Sequence, residues 1–194
     1  MASTSERPKR GSPLAKVTEA AAASPGGGAQ ALQRLKRAGR PAATKGARPS
    51  WPAQVFAEHY DADPMMRISI VKTGLPAQAP GEIAAHMGLT KDRMYSMLGL
   101  PRATVERKVR DQKLLSPDES ARVLGVSRLI GQAQRMVEES GNPEGFDAGA
   151  WVARWIESPV PALGGRRPSE LMDTAEGQAL VASLLSRAQS GAYS

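Results

Sequence analysis

Arg102, Thr104, Arg107, Lys108 and Arg110 lie within nine residues of one another. A helix over that stretch sends Val105 and Val109, one turn apart, to a core. The opposite face then carries Ala103, Arg107 and Arg110, flanked by Thr104, with Arg102 and Lys108 nearer the edges. Arginine can hydrogen-bond guanine edges or phosphates, and threonine can meet a phosphate or a thymine methyl. The free N–H groups at the helix start, near Arg102 to Thr104, suit a phosphate. Gly99, just upstream, can take the positive φ of a tight turn, so DRMYSMLGLPRATVERKVRDQ has the form of a helix-turn-helix. An ordinary solvated basic face has the same composition. A second helix-turn-helix can be drawn upstream, from Glu82–His86 through Gly88 to Lys91–Leu98, offering Lys91 and Arg93. The downstream pair is preferred because its second helix is richer in Arg, Lys and Thr.

Other chemistry is thinner. Glu58, His59, Asp61 and Asp63 form a polar cluster, but a metal site needs a further firm ligand and a defined geometry. It reads instead as a polar helix end or linker. His86 sits in an Ala/Met-rich stretch and reads as a boundary residue. Gly164-Gly165-Arg166-Arg167 lacks the spacing and the Lys-Ser/Thr of a phosphate loop. Neither histidine lies near a sharp-turn serine motif, so no Ser–His–acid set can be assembled. No catalytic set, metal or cofactor is expected.

The elements that must position these residues are bounded by composition. The chain has 194 residues and a formal net charge of +7, with no cysteine. That suits one or two small domains and excludes a disulfide scaffold, a thiolate zinc site and a cysteine nucleophile. Residues 1–50 hold ten Lys/Arg against two acids, so almost all the excess charge is there. Rich in Ala, Gly and Pro, this stretch is expected to be a disordered basic tail. It would act as a phosphate-binding arm or a solubilising leader. It has the Ala/Ser bias of a transit peptide, but Pro and Gly interrupt it. No stretch approaches the apolar length of a membrane span, and a cytoplasmic protein is expected.

From Trp51 onward the pattern is helical throughout, which predicts an all-α fold. Met65–Thr73 is expected to be a first core helix, ending at Gly74. Pro80–Met87 follows, then Lys91–Leu98 capped by Thr90, then Arg102–Asp111 opened by Pro101. Ser116-Pro117-Asp118-Glu119 predicts a capping box, and the helix after it places Val126, Leu129, Ile130, Ala133 and Val137 on one face. Ser140-Gly141-Asn142-Pro143 ends that helix and marks the expected boundary between units 51–140 and 141–194. In the second unit, Asp147 caps a helix with Trp151, Val152, Trp155 and Ile156. Residues 159–165 form a structured turn, and Pro168 opens a short helix through Met172. Thr174 caps a last helix with Leu180, Val181, Leu184 and Leu185 on one stripe, and Gly191 follows its end.

The run WVARWIESPVPALGGRRPSELMDTAEGQALVASLL, then SGAYS, resembles the toxin-binding domain of the Xre/MbcA/ParS antitoxins. The matching positions are Trp155-Ile156, Pro159, Ala162 to Gly165, Pro168, Thr174, Gly177, Val181, Leu184-Leu185 and Gly191. LGLPRATVERK and LLSPDESARVLG look like the helix-turn-helix half of the same antitoxins. The resemblance spans about residues 65–194 and omits the basic tail. Ile156 stands where leucine is commoner, and the stretch before Gly88 has little that matches. The resemblance implies a non-enzymatic antitoxin that covers the active site of a cognate, RES-type, NAD-consuming toxin. It also implies that the antitoxin binds operator DNA to repress its own operon, as a homodimer within the toxin–antitoxin complex. Trp155, Leu163, Gly164, Gly165, Arg166, Arg167, Leu184, Leu185, Gly191 and Tyr193 are the expected toxin contacts. A competing reading is a stand-alone transcription regulator whose C-terminal unit only dimerises.

Overall fold

A computed structural model describes residues 51–141 and 143–190. The expected basic tail, and with it Gly191 and Tyr193, lies outside the described residues. Eight α-helices make up most of the described chain: α1 (Gln54–Asp61), α2 (Pro64–Thr73), α3 (Ala79–Met87), α4 (Lys91–Met97), α5 (Arg102–Arg110), α6 (Pro117–Glu139), α7 (Ala148–Ile156) and α8 (Ala175–Ser190). Two short 3-10 turns, Pro161–Leu163 and Pro168–Leu171, join α7 to α8. An isolated antiparallel bridge pairs Pro76 with Leu114. The all-α expectation holds.

The caps explain where the helices begin. Thr90 accepts from the Arg93 N–H at 3.2 Å to start α4. Asp63 accepts from the Met65 and Met66 N–H groups to start α2, and Asp147 accepts from Ala150 to start α7. Ser116 and Glu119 exchange bonds in a complete capping box, which satisfies two of the orphan N–H groups of α6.

Helix α6 is the organising element. Its 23 residues span about 34 Å, and α1, α2, α3, α7 and α8 all pack against it. Val126, Leu129, Ile130, Ala133 and Val137 are buried, as their spacing requires. Gly131 lies where α1 crosses: a Cβ there would sit 2.0 Å from the Phe56 carbonyl oxygen, so no larger residue permits this approach. Buried polar side chains fasten the layers. The Ser120 hydroxyl accepts from the Leu75 N–H at 3.0 Å. The Gln132 amide donates to the Ala182 carbonyl and the Ser186 hydroxyl, tying α8 to α6.

One buried cluster runs through both halves of the chain, joining Ile83, Met94, Leu98 and Val105 to Val126, Ile130, Trp151, Ile156 and Leu185. Two expectations need correction. Helix α2 buries no residue; Met65, Met66 and Ile68 are exposed, and Ile70 and Val71 pack only at the edge of the core. Its apolar residues run around the helix instead of forming a stripe, so composition alone did not define a face. Leu180, at the margin of the α8 stripe, is 45% exposed, while Val181, Leu184 and Leu185 are buried.

Candidate functional site

Helices α4 and α5 meet at Gly99, whose φ is +59°. The Gly99 and Leu100 N–H groups donate to the Ser96 and Tyr95 carbonyls, closing the turn. Leu98, Leu100 and Val105 plug it into the core. The Arg122 guanidinium, reaching from α6, donates to the Leu98 and Gly99 carbonyls at 2.8 and 3.0 Å and pairs with Asp118 at 2.5 Å. It thus satisfies the carbonyls at the end of α4 and fixes where α5 begins. Sequence reasoning missed this residue; its only signal was its position four residues after Asp118 on a predicted helix.

The outer face of α5 carries Arg102, Arg107 and Arg110, all exposed or partly so, with Thr104 half-buried beside them. Arg102 pairs with Asp92 at 2.8 Å in full solvent. The guanidinium groups of Arg107 and Arg110 have no acidic partner among the described residues. Lys108 differs. It is turned back onto Glu119, the capping-box carboxylate of α6, where both side chains are largely buried. Burial alone would raise the Glu119 carboxyl; the Lys108 ammonium and the Ser116 N–H and hydroxyl hold it below the ordinary carboxylate value. Lys108 therefore joins α5 to α6. The basic residues at the C-terminal end of α5 also oppose its carbonyl dipole favourably.

The upstream alternative loses much of its charge. Arg93 donates to Glu157 through Nε at 2.8 Å and Nη2 at 2.5 Å, and to the Ser169 hydroxyl at 3.2 Å. Ser169 in turn donates to Glu157 at 3.3 Å, and Arg167 approaches the same carboxylate to 3.9 Å. This cluster joins the helix-turn-helix to the C-terminal segment.

In that segment, residues 159–167 form a loop closed on itself. The Val160 N–H donates to the Arg166 carbonyl at 3.0 Å, and the Gly165 N–H returns to the Val160 carbonyl at 3.1 Å. Gly164 and Gly165 have φ of +66° and +83°, and nothing lies within 4 Å of a would-be Cβ at either. Val160 anchors the loop in the interior, while Gly164, Gly165, Arg166 and Arg167 are exposed and Leu163 is half-exposed. Arg166 pairs with Glu170 at 3.2 Å. Trp155 is half-buried and stacks on buried Trp151, with ring centroids 6.0 Å apart. Leu184 and Leu185, 2% and 0% exposed, are core side chains, because the inner stripe of α8 faces α6. They support the surface and do not present it.

The polar cluster near α1 is divided among structural tasks. Asp63 caps α2, Asp61 pairs with Arg135, and the His59 Nδ1 bonds the Ser127 hydroxyl at 2.7 Å. Burial lowers the His59 pKa, with a smaller opposing effect from Glu58. No group of three or more potential metal ligands occurs among the described residues. The His86 Nε2–H donates to the Trp51 carbonyl at 2.5 Å.

The helix-turn-helix and the closed loop fall in two segments that each match a family model. Residues 66–128 match the family model for the antitoxin Xre-like helix-turn-helix domain, and residues 144–191 match that for the antitoxin Xre/MbcA/ParS C-terminal toxin-binding domain. The chain is 40% identical over 162 residues to the Prs ADP-ribosylating antitoxin of Sphingobium sp. (strain YBL2), covering 84% of this chain and 99% of that protein. It is 24% identical over 127 residues to Antitoxin Xre of Yersinia enterocolitica, covering 66% of this chain and 80% of that one. The chain belongs to the Xre/MbcA/ParS antitoxin family.

Proposed function

We propose that this chain neutralises a cognate toxin with its C-terminal segment, about residues 141–194, and represses its own operon by binding operator DNA through α5 within residues 51–140. The observation that carries the reading is the loop at Leu163–Arg167. It is hydrogen-bonded into one shape, exposed, and lies within the segment that matches the toxin-binding domain. Trp155 and the loop, with Gly191 and Tyr193 beyond the described residues, are its contact set. Arg102, Thr104, Arg107 and Arg110 face the DNA.

The toxin in this reading is of the RES type and consumes NAD. The name of the Sphingobium relative connects it with ADP-ribosylation, and ADP-ribosyl transfer spends NAD as its donor. The antitoxin itself performs no catalysis and acts by covering the toxin's site. It works in the cytoplasm as a homodimer within the complex; no helix among the described residues is long and apolar enough to cross a membrane.

Co-expression with its cognate toxin tests the proposal. Trp155→Ala, Gly165→Val and a deletion of residues 186–194 are compared for helical content, operator binding and rescue of growth, with cellular NAD as a second readout. Variants that stay folded and bind operator but no longer protect cells or NAD support it. If all three fold and protect fully, the C-terminal segment is not the neutralising surface.

A further inference from the structure

A groove of about 850 Å³ runs between α2 and α8, with α6 as its floor. Its lining on α6 extends from Pro117 to Gln132, about 22 Å of helix. That length fits an extended or helical segment better than a small ligand. Ile68 and Val71 form an apolar wall over buried Leu129. Every charged residue lining the groove is basic: Arg67, Lys72 and Arg128.

Arg128 is the anomaly. Its Nε is buried and has no hydrogen-bond partner. Burial and the nearby positive charge of Arg67 both disfavour its cation. The guanidinium is only half-buried, but an Nε–H shut away without an acceptor is costly to keep, and an incoming carboxylate would relieve it. One wall of the groove, on α8, belongs to the segment that matches the toxin-binding domain.

From these observations we infer that the groove receives an amphipathic acidic segment of the toxin, with a carboxylate on Arg128 and apolar side chains against Ile68 and Val71. This rests on the toxin-binding reading above and adds to it a second contact, separate from the Leu163–Arg167 loop. Helix-in-groove docking of this kind uses apolar anchors for affinity and placed charges for register.

The test measures affinity of the full chain for its cognate toxin by calorimetry, with wild type first. The Arg67→Glu/Arg128→Glu double variant should bind about thirtyfold more weakly or worse, with operator binding and melting temperature retained. Hydrogen exchange in residues 64–72 should slow when toxin binds. Should the double variant unfold, Arg128→Met removes the charge and keeps the stem; it should melt no lower than wild type and still lose affinity. Unchanged affinity in a folded variant, or exchange unaffected by toxin, overturns the groove assignment alone. A variant that loses self-association but keeps toxin affinity overturns it in favour of a second copy of the chain. Wild type that binds no toxin overturns both readings.

Discussion

Arg93 on α4 and Glu157 just after α7 are 64 residues apart in sequence, yet the guanidinium grips one carboxylate oxygen through two nitrogens, at 2.8 and 2.5 Å. Ser169 bonds to both partners. The pair ties the first helix of the helix-turn-helix to the segment that carries the exposed loop. Both side chains are partly exposed, so solvent screens the attraction. A double-mutant cycle of Arg93→Ala and Glu157→Ala should return a coupling of about 0.5–1 kcal/mol by urea unfolding. It should shrink as salt is raised. A coupling indistinguishable from zero at low salt would show that the contact does not hold the two parts together.

Removing charge from α5 should separate two kinds of basic residue. Arg107→Ala and Arg110→Ala should weaken operator binding and lower its salt slope by roughly one for each phosphate no longer neutralised, with melting unchanged. Lys108→Ala should instead lower the melting temperature, because it strands the buried Glu119 carboxylate. Gel shift and thermal melting on the same preparations check both. A Lys108 variant as stable as wild type would remove its role as a joint.

Leu184 and Trp155 should behave differently in stability assays. Leu184→Ala opens space in a buried position and should cost about 2–5 kcal/mol of folding stability. Trp155→Ala should cost less stability, since the ring is half-exposed, and more toxin affinity. Equilibrium unfolding beside toxin titration decides, and a Leu184 variant of wild-type stability would contradict its burial.

His59 gives a pH signature. Its pKa is lowered in the fold, so between that value and the ordinary 6.5 the unfolded chain binds more protons. Its contribution to stability is therefore full above about 6.5 and is lost as pH falls through the window below. Urea midpoints from pH 8 to pH 5 should decline for wild type and decline less for His59→Gln. Parallel pH curves would show that the histidine is not responsible.

Much of this architecture was legible because the helices carry their own punctuation. The Ser116–Glu119 box, the Thr90 and Asp147 caps and the stripe on α6 all act within a few residues, where sequence spacing and spatial spacing coincide. The two valines of α5 likewise fixed which of its faces looks outward. Contacts across long separations left no such trace. Nothing near Arg93 names Glu157, nothing near Lys108 names Glu119, and Arg122 has no local reason to reach the Leu98 carbonyl. The same limit applies to α2, whose crowded apolar residues gave no preferred face, and to Leu184, whose burial depends on where α8 lands on α6. The exposed loop at Leu163–Arg167 was readable mainly through its glycines and its likeness to the family.

The shared core has a consequence for how such proteins can be recombined. Two family models matching separate segments invite the exchange of one half against another, with a seam near residues 140–143. Yet α8 is fastened to α6 through Gln132 and Gln178, and Trp151 and Ile156 lie in the same apolar cluster as Ile83 and Met94. A graft cut at that seam would carry half of a jigsaw into a foreign frame. The unit that can be moved without breaking these contacts is the C-terminal segment together with the face of α6 on which it rests.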